Sequence, residues 1–202
     1  DPKRAIDPGP GRPPQGGTVY LTTADAQGRM VSFIQSNYLG FGSGVVVPGW
    51  GISLQNRGHG FTLQDGHPNQ VAPGKRPFHT IIPAFLTKDG QPVMSYGVMG
   101  ANMQPQGHMQ TLVRLLDHGQ GLQAACDAPR WRFDAGLHIN VESAMDPATV
   151  QGLKDLGHQT RSIDDPYQDF GASQFIWRLG DPGSEGYVAA SDPRRDGAAV
   201  GF

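Results

Sequence analysis

Residues 18 to 24, TVYLTTA, and 30 to 36, MVSFIQS, flank the polar stretch Asp25-Ala26-Gln27-Gly28, and the pattern predicts two strands of a hairpin. Glycine-rich loops follow, GFGSG at 40 to 44 and PGWG at 48 to 51, around a short predicted strand near Ile52 to Asn56. A second hairpin is predicted from Ala84 to Thr87 and Pro92 to Tyr96, joined by the turn Lys88-Asp89-Gly90-Gln91. Met109, Leu112, Val113 and Leu116 recur at helical spacing within HMQTLVRLLDH. Asp146-Pro147 opens another helix, whose Val150, Leu153 and Leu156 share one side before Gly157 stops it. Both helices are expected to cover a sheet, and FIWRL and YVAA form a further strand pair across Asp181-Pro182-Gly183.

Residues 1 to 17 break this pattern, since they are rich in Pro and Gly with Ile6 as the one large apolar residue. Such a segment adds nothing to a packed core and reads as a linker or processing segment. The remainder, 18 to 202, is long enough for one domain with its own core. With 37% hydrophobic residues, 29 Gly and 17 Pro in the whole chain, the fold is expected to be rich in turns and strands.

Charge excludes some partners. A formal net charge of -2 supplies no field to gather nucleic acid or an anionic membrane surface, and no apolar run reaches the length of a spanning helix. Neither nucleic acid nor membrane is an expected partner. Cys126 is the only cysteine, which rules out an internal disulfide and a cysteine-based zinc site, and on its Ala-rich helix it reads as a small core residue. The seven histidines show no i, i+4 pair, so no metal site is expected.

Several motifs stand in a recognisable order: Gly16-Gly17-Thr18 before a strand, NYLGFGSGVVVPG, GISLQNR, APGKRP, LLDHG, DAPRW and AASDPRRDG. Together they resemble the small catalytic subunit of gamma-glutamyltransferases, over residues 18 to 202. The resemblance implies an α+β fold, the four-layer αββα sandwich of N-terminal-nucleophile hydrolases. It also implies a precursor that cuts itself at Gly17-Thr18, a large subunit or upstream segment as partner, and no cofactor.

The position matching the family's nucleophile is Thr18. A threonine hydroxyl is a weak nucleophile, and a free α-amino group with pKa of about 7.7 to 8.0 is a base suited to neutral pH. Both groups belong to one residue only once the Gly17-Thr18 bond is cut. The resemblance assigns Ser36 to the hydroxyl that bonds the nucleophile, and Gly100 and Ala101 to the paired backbone donors facing a developing oxyanion. Ala101 departs from the family's second glycine, and its methyl group restricts positive φ.

The expected substrate-binding positions are Tyr38, Arg57, Gly60 and the pair His79-Thr80, where typical members carry Asn, Gln, Asp and Ser-Ser. Gly60 removes the carboxylate that would face a substrate ammonium, Asp65 is off register, and Arg57 with His79 adds donors suited to a substrate carboxylate. The expected substrate is a small amide of gamma-glutamyl or glutaryl type, its acyl group passed to water or an amine. Two alternatives stand beside this reading: an acylase for glutaryl or beta-lactam side chains without α-amino recognition, and an unprocessed, inactive fragment. Lys75-Arg76 is either a solvated pair or part of the pocket wall, and Asp192 is expected to pair with Arg194 or Arg195 in a structural turn.

Overall fold

The computed structural model describes residues 17–165 and 170–202; apart from Gly17, the segment read as a linker lies outside the described residues. Strands β1 (Thr18–Ala24) and β2 (Met30–Ser36) form the predicted hairpin, with Thr18 directly opposite Ser36. Its turn is closed by Asp25, whose carboxylate accepts the backbone N–H groups of Gln27 and Arg29 and pairs with the Arg29 guanidinium at 2.7 Å, while Gly28 supplies the positive φ of 83°.

Strands β3 (Val46–Val47) and β4 (Ile52–Ser53) make a small ribbon in the glycine-rich loops. The second hairpin, β5 (Ala84–Lys88) and β6 (Gln91–Met99), forms the main sheet with β10 (Ala172–Arg178) and β11 (Tyr187–Ser191), in the antiparallel order β11-β10-β6-β5. A second sheet joins β7 (Trp131–Ala135), β8 (His138–Glu142) and β9 (Gln159–Ile163), with β8 and β9 parallel across helix α3 (Pro147–Asp155). Asp146 caps α3 through Thr149 N–H at 3.0 Å, as its Asp-Pro start predicts.

Residues Met94 to Val98 of β6 are buried without alternation because both faces of the main sheet are covered. On one face Met94, Tyr96 and Val98 join Cys126, Phe175 and Ala190 in the core, beneath α1 (Gln104–Leu112) and α2 (Leu122–Asp127). Gly107 of α1 rides on Val98, where an added Cβ would lie 2.7 Å from Cγ1, and the neighbouring His108 accepts the Val98 N–H at 2.8 Å through Nε2. On the other face lies the β1–β2 hairpin. Gly97 lets the Tyr20 ring approach, and the Thr22 hydroxyl bonds that of Ser95. Tyr20 Oη meets Ser32 Oγ at 2.6 Å, and Ser32 in turn donates to the Ala84 carbonyl at 3.0 Å.

The hairpin therefore turns most of its hydroxyls inward, together with Met30 and Ile34. Thr18, Tyr20, Thr22, Ser32 and Ser36 face the sheet, whereas Val19, Leu21, Val31 and Phe33 are between 44% and 50% exposed on the opposite side. Helices, main sheet and hairpin supply three layers of the expected four-layer sandwich among the described residues.

The expected helix near 108 to 118 begins earlier, at Gln104, and continues as a π-helical turn from Val113 to Asp117. Both helices cover a sheet as expected, α1 on β6 of the main sheet and α3 on β9 of the second.

Candidate active site

The hairpin register sets the first contact. Eighteen residues separate Thr18 from Ser36, and a seven-residue strand, a five-residue turn and a second seven-residue strand bring them opposite one another. Their hydroxyls meet at 2.7 Å. Ser36 Oγ also accepts the Tyr38 N–H at 2.9 Å, which leaves it one proton and one lone pair for exchange with Thr18.

The end of β6 comes next. Thr22 faces Ser95 and Tyr20 faces Gly97, so two further residues along each strand bring Thr18 to Met99. Thr18 and Met99 line one cleft of about 370 Å³, which residues 195 to 200 also line. Immediately beyond Met99 the chain turns through Gly100 (φ 144°) and Ala101 (φ 51°). The methyl group of Ala101 does not prevent the left-handed conformation, and the turn retains both backbone N–H groups. It is braced from behind by Gly171, whose Cα lies 2.8 Å from the place a Cβ on Gly100 would occupy.

That brace is anchored in a buried charge network. Arg130, fully buried, donates to the Phe170 carbonyl at 2.9 Å, to Ser173 Oγ at 2.8 Å and to Asp192 Oδ2 at 2.7 Å. Asp192 also binds Arg194, as the sequence suggests, and Arg194 reaches both oxygens of Glu142 at 2.5 and 2.6 Å. Burial alone would raise the Asp192 pKa, but the Arg130 and Arg194 charges and the Ser173 bond hold it below the ordinary carboxylate value. Burial pushes the Tyr20 hydroxyl up to about 12 against the Ser32 and Thr22 bonds, so Tyr20 acts as a neutral clamp and not as a base.

The predicted substrate-binding residues divide. Tyr38, in the left-handed region at φ 74°, sets its ring 5.0 Å from the Arg57 guanidinium carbon. Arg57 is only 7% exposed and donates from Nη1 to Thr80 Oγ1 at 2.9 Å. Burial pulls its pKa below the ordinary value, while Tyr38 pulls the other way. His79 is exposed and its Nδ1 accepts the Ile81 N–H at 3.1 Å, so the structure brings Thr80 to Arg57 instead. Gly60 adjoins Pro77 and Phe78, and the Asp65 carboxylate is bound by Gln70 at 2.8 Å. Among the described residues, no group of three or more His, Cys, Asp or Glu is placed to hold a metal ion.

Sequence reasoning missed the role of Arg130 and Glu142. DAPRW flagged the position of Arg130, but its partner lies 62 residues away in sequence.

The family described as gamma-glutamyltranspeptidase matches residues 2–202. The glutathione hydrolase-like YwrD proenzyme of Bacillus subtilis is 40% identical over 201 residues, covering 96% of this chain and 38% of the relative. The oxamate amidohydrolase proenzyme of Klebsiella pneumoniae is 39% identical over 192 residues, 93% of this chain and 36% of that protein. Among solved structures, a cephalosporin acylase from Bacillus halodurans superposes with a TM-score of 0.82 at 50% identity, over 91% of this chain and 34% of that one. The chain thus spans well under half the length of these relatives.

Proposed function

The chain belongs to the gamma-glutamyltranspeptidase family, and from that membership we propose that it is the nucleophile-bearing part of an enzyme that cleaves amides by attack of Thr18. The observation that carries this reading is the 2.7 Å contact between the Thr18 and Ser36 hydroxyls, with Thr18 in a cleft also lined by Met99, the residue before the Gly100–Ala101 turn.

Activation comes first. Thr18 Oγ1 attacks the Gly17 carbonyl carbon and the peptide C–N bond breaks, leaving Gly17 esterified to the hydroxyl and the Thr18 nitrogen as a free amine. Water then cleaves the ester, releasing the Gly17 carboxylate and restoring the hydroxyl. The new α-amine, with pKa of about 7.7 to 8.0, is the base for every later turnover. It takes the hydroxyl proton as Oγ1 adds to a substrate amide, and it returns the proton to the departing amine. The acyl group remains on Oγ1 until water or a second amine removes it.

Ser36 orients the attacking hydroxyl, and the Gly100 and Ala101 N–H groups supply the donors for the tetrahedral oxyanion. No step calls for a cofactor. The word proenzyme in the names of both curated relatives fits a chain that must be cut. The exposed Val19, Leu21, Val31 and Phe33 face supports a further layer, which we assign to an upstream segment of the same precursor.

The test is the intact mass of the full-length precursor after prolonged incubation at neutral pH, beside Thr18→Ala. Scission between Gly17 and Thr18 in the parent alone supports the reading. Equal scission in both proteins removes Thr18 as the nucleophile.

A further inference from the structure

Gly17 lies against a tightly held loop, residues 37 to 42. A Cβ built on Gly17 would stand 3.2 Å from the Gly40 carbonyl oxygen, closer than ordinary van der Waals contact. Whether that position tolerates a side chain depends on whether the carbonyl can give way.

The loop has little freedom to do so, and one side chain supplies much of the restraint. Asn56, half-buried in the GISLQNR motif, accepts the Leu39 N–H on Oδ1 at 3.0 Å and donates from Nδ2 to the carbonyls of Leu39 and Gly42 at 3.1 and 3.0 Å. Its backbone N–H reaches the Asn37 carbonyl at 3.2 Å. Ser53 Oγ donates to the Phe41 carbonyl at 3.0 Å, and the Gly42 N–H closes the turn onto the Leu39 carbonyl at 2.9 Å. Gly42 also lies so near Leu54 that an added Cβ would strike the Leu54 carbonyl oxygen. The Gly40 carbonyl is thus fixed by bonds on both sides of it in the chain.

The same loop carries Tyr38, whose N–H is held on Ser36 Oγ at 2.9 Å, and Ser36 meets Thr18. Asn56 therefore steadies two things at once: the support of the nucleophile's partner, and the wall beside the residue that must be released.

We propose that this loop, held by Asn56, is a gauge that admits only glycine before Thr18 and so sets the rate at which the precursor activates. Asn56 is a positioning residue, acting through Gly40 and Tyr38. The inference rests on self-scission by Thr18 and concerns the residue that leaves in that step, not the amides cleaved in later turnovers. Residue 17 is exposed, so a side chain there escapes the Gly40 carbonyl by swinging the segment outward. The carbonyl carbon that Oγ1 must attack moves with it, and a misplacement of about 1 Å is enough to slow such a step severely.

The experiment follows scission of the full-length precursor by intact mass over time at neutral pH. It compares the parent, Gly17→Ala and Gly17→Val, each with and without Asn56→Ala. A side chain forced into a fixed contact predicts a cut about tenfold slower for Gly17→Ala, and slower still for Gly17→Val. Asn56→Ala alone slows the parent, but in its background the rate of Gly17→Ala relative to glycine rises toward one, because the wall can then yield. That ratio separates a gauge from a general weakening of the fold, which slows every variant alike. Should Asn56→Ala fail to fold, Ser53→Ala, which frees the Phe41 carbonyl alone, is read in the same way.

Scission of Gly17→Ala at the parental rate overturns the proposal and leaves Thr18 as nucleophile untouched. So does a Gly17→Ala penalty that stays the same with and without Asn56. Equal scission of the parent and Thr18→Ala instead removes the nucleophile reading, and the inference with it.

Discussion

Replacing Asp192 by Asn tests whether the buried charges hold the Gly100–Ala101 turn. Asp192 Oδ2 accepts from Arg130 at 2.7 Å and from the Ser173 N–H and hydroxyl at 2.9 and 2.7 Å, and Oδ1 accepts from the Arg194 N–H and guanidinium at 2.9 and 3.0 Å. Whichever way an Asn amide turns, its NH₂ faces at least two donors, and Arg130 loses its anion in a fully buried site. Breaking a buried pair on one side costs about 3–5 kcal/mol, out of a typical domain stability of about 5–15. For a domain of this size the melting temperature falls by on the order of 10 °C. Because Arg130 also holds the Phe170 carbonyl, and Gly171 braces Gly100, kcat falls with it while KM changes little.

The parent shows the same weakness in acid. Its depressed Asp192 pKa contributes stability that is present above the unfolded value near 3.9 and lost as pH falls through the folded value. The assay is a thermal melt and a substrate titration of the processed full-length protein, parent beside Asp192→Asn. A melting temperature within about 2 °C of the parent with kcat unchanged would refute the reasoning.

Two further outcomes follow from single contacts. Ser36→Ala deletes the hydroxyl that meets Thr18 and lowers kcat by about tenfold at similar KM, whereas Ser36→Thr restores it; steady-state kinetics decide, and an unchanged kcat removes Ser36 from the site. His108 is held neutral, its pKa pulled from 6.5 to about 4 by burial and then by Arg130, and its Nε2 must stay unprotonated to accept the Val98 N–H. The unfolded chain takes up that proton below pH 6.5 and the folded one does not, so roughly 3 kcal/mol of stability drains away between pH 6.5 and 4. In melts across that range His108→Gln, whose Oε1 can accept the same bond, shows a flatter slope; equal slopes would mean that His108 is not the group responsible.

Much of the site was legible because it is local. The Asp25-to-Gly28 turn fixes the β1–β2 register, and that register alone sets Thr18 against Ser36. The early start of α1 was not legible: Met103 precedes it with no side-chain cap, and its first turn holds Gln104, Pro105 and Gln106 in place of the apolar rhythm that begins at Met109. The second sheet went unread for a different reason. Arg132, Asp134, His138, Asn140 and Glu142 give β7 and β8 a polar pattern, and Glu142 is buried only because Arg194 and the Arg130 N–H reach it. Period-two alternation announces the first hairpin but not which side faces in. That choice is made by Ser95 and Gly97 on the opposing strand, which offer a hydroxyl and an empty place where a core would offer side chains.

Strand β1 is thus fastened to its sheet by hydroxyl pairs that water can replace almost without loss and by the buried Tyr20 ring, while Val19 and Leu21 lie on the other side. The covering layer proposed for Val19, Leu21, Val31 and Phe33 would act as the press that keeps Thr18 level with Met99. A substitution in that covering layer, touching neither substrate nor catalytic group, would tilt the strand and register as a catalytic defect. Screens for activity in this protein will therefore collect residues from a surface that has no chemistry of its own.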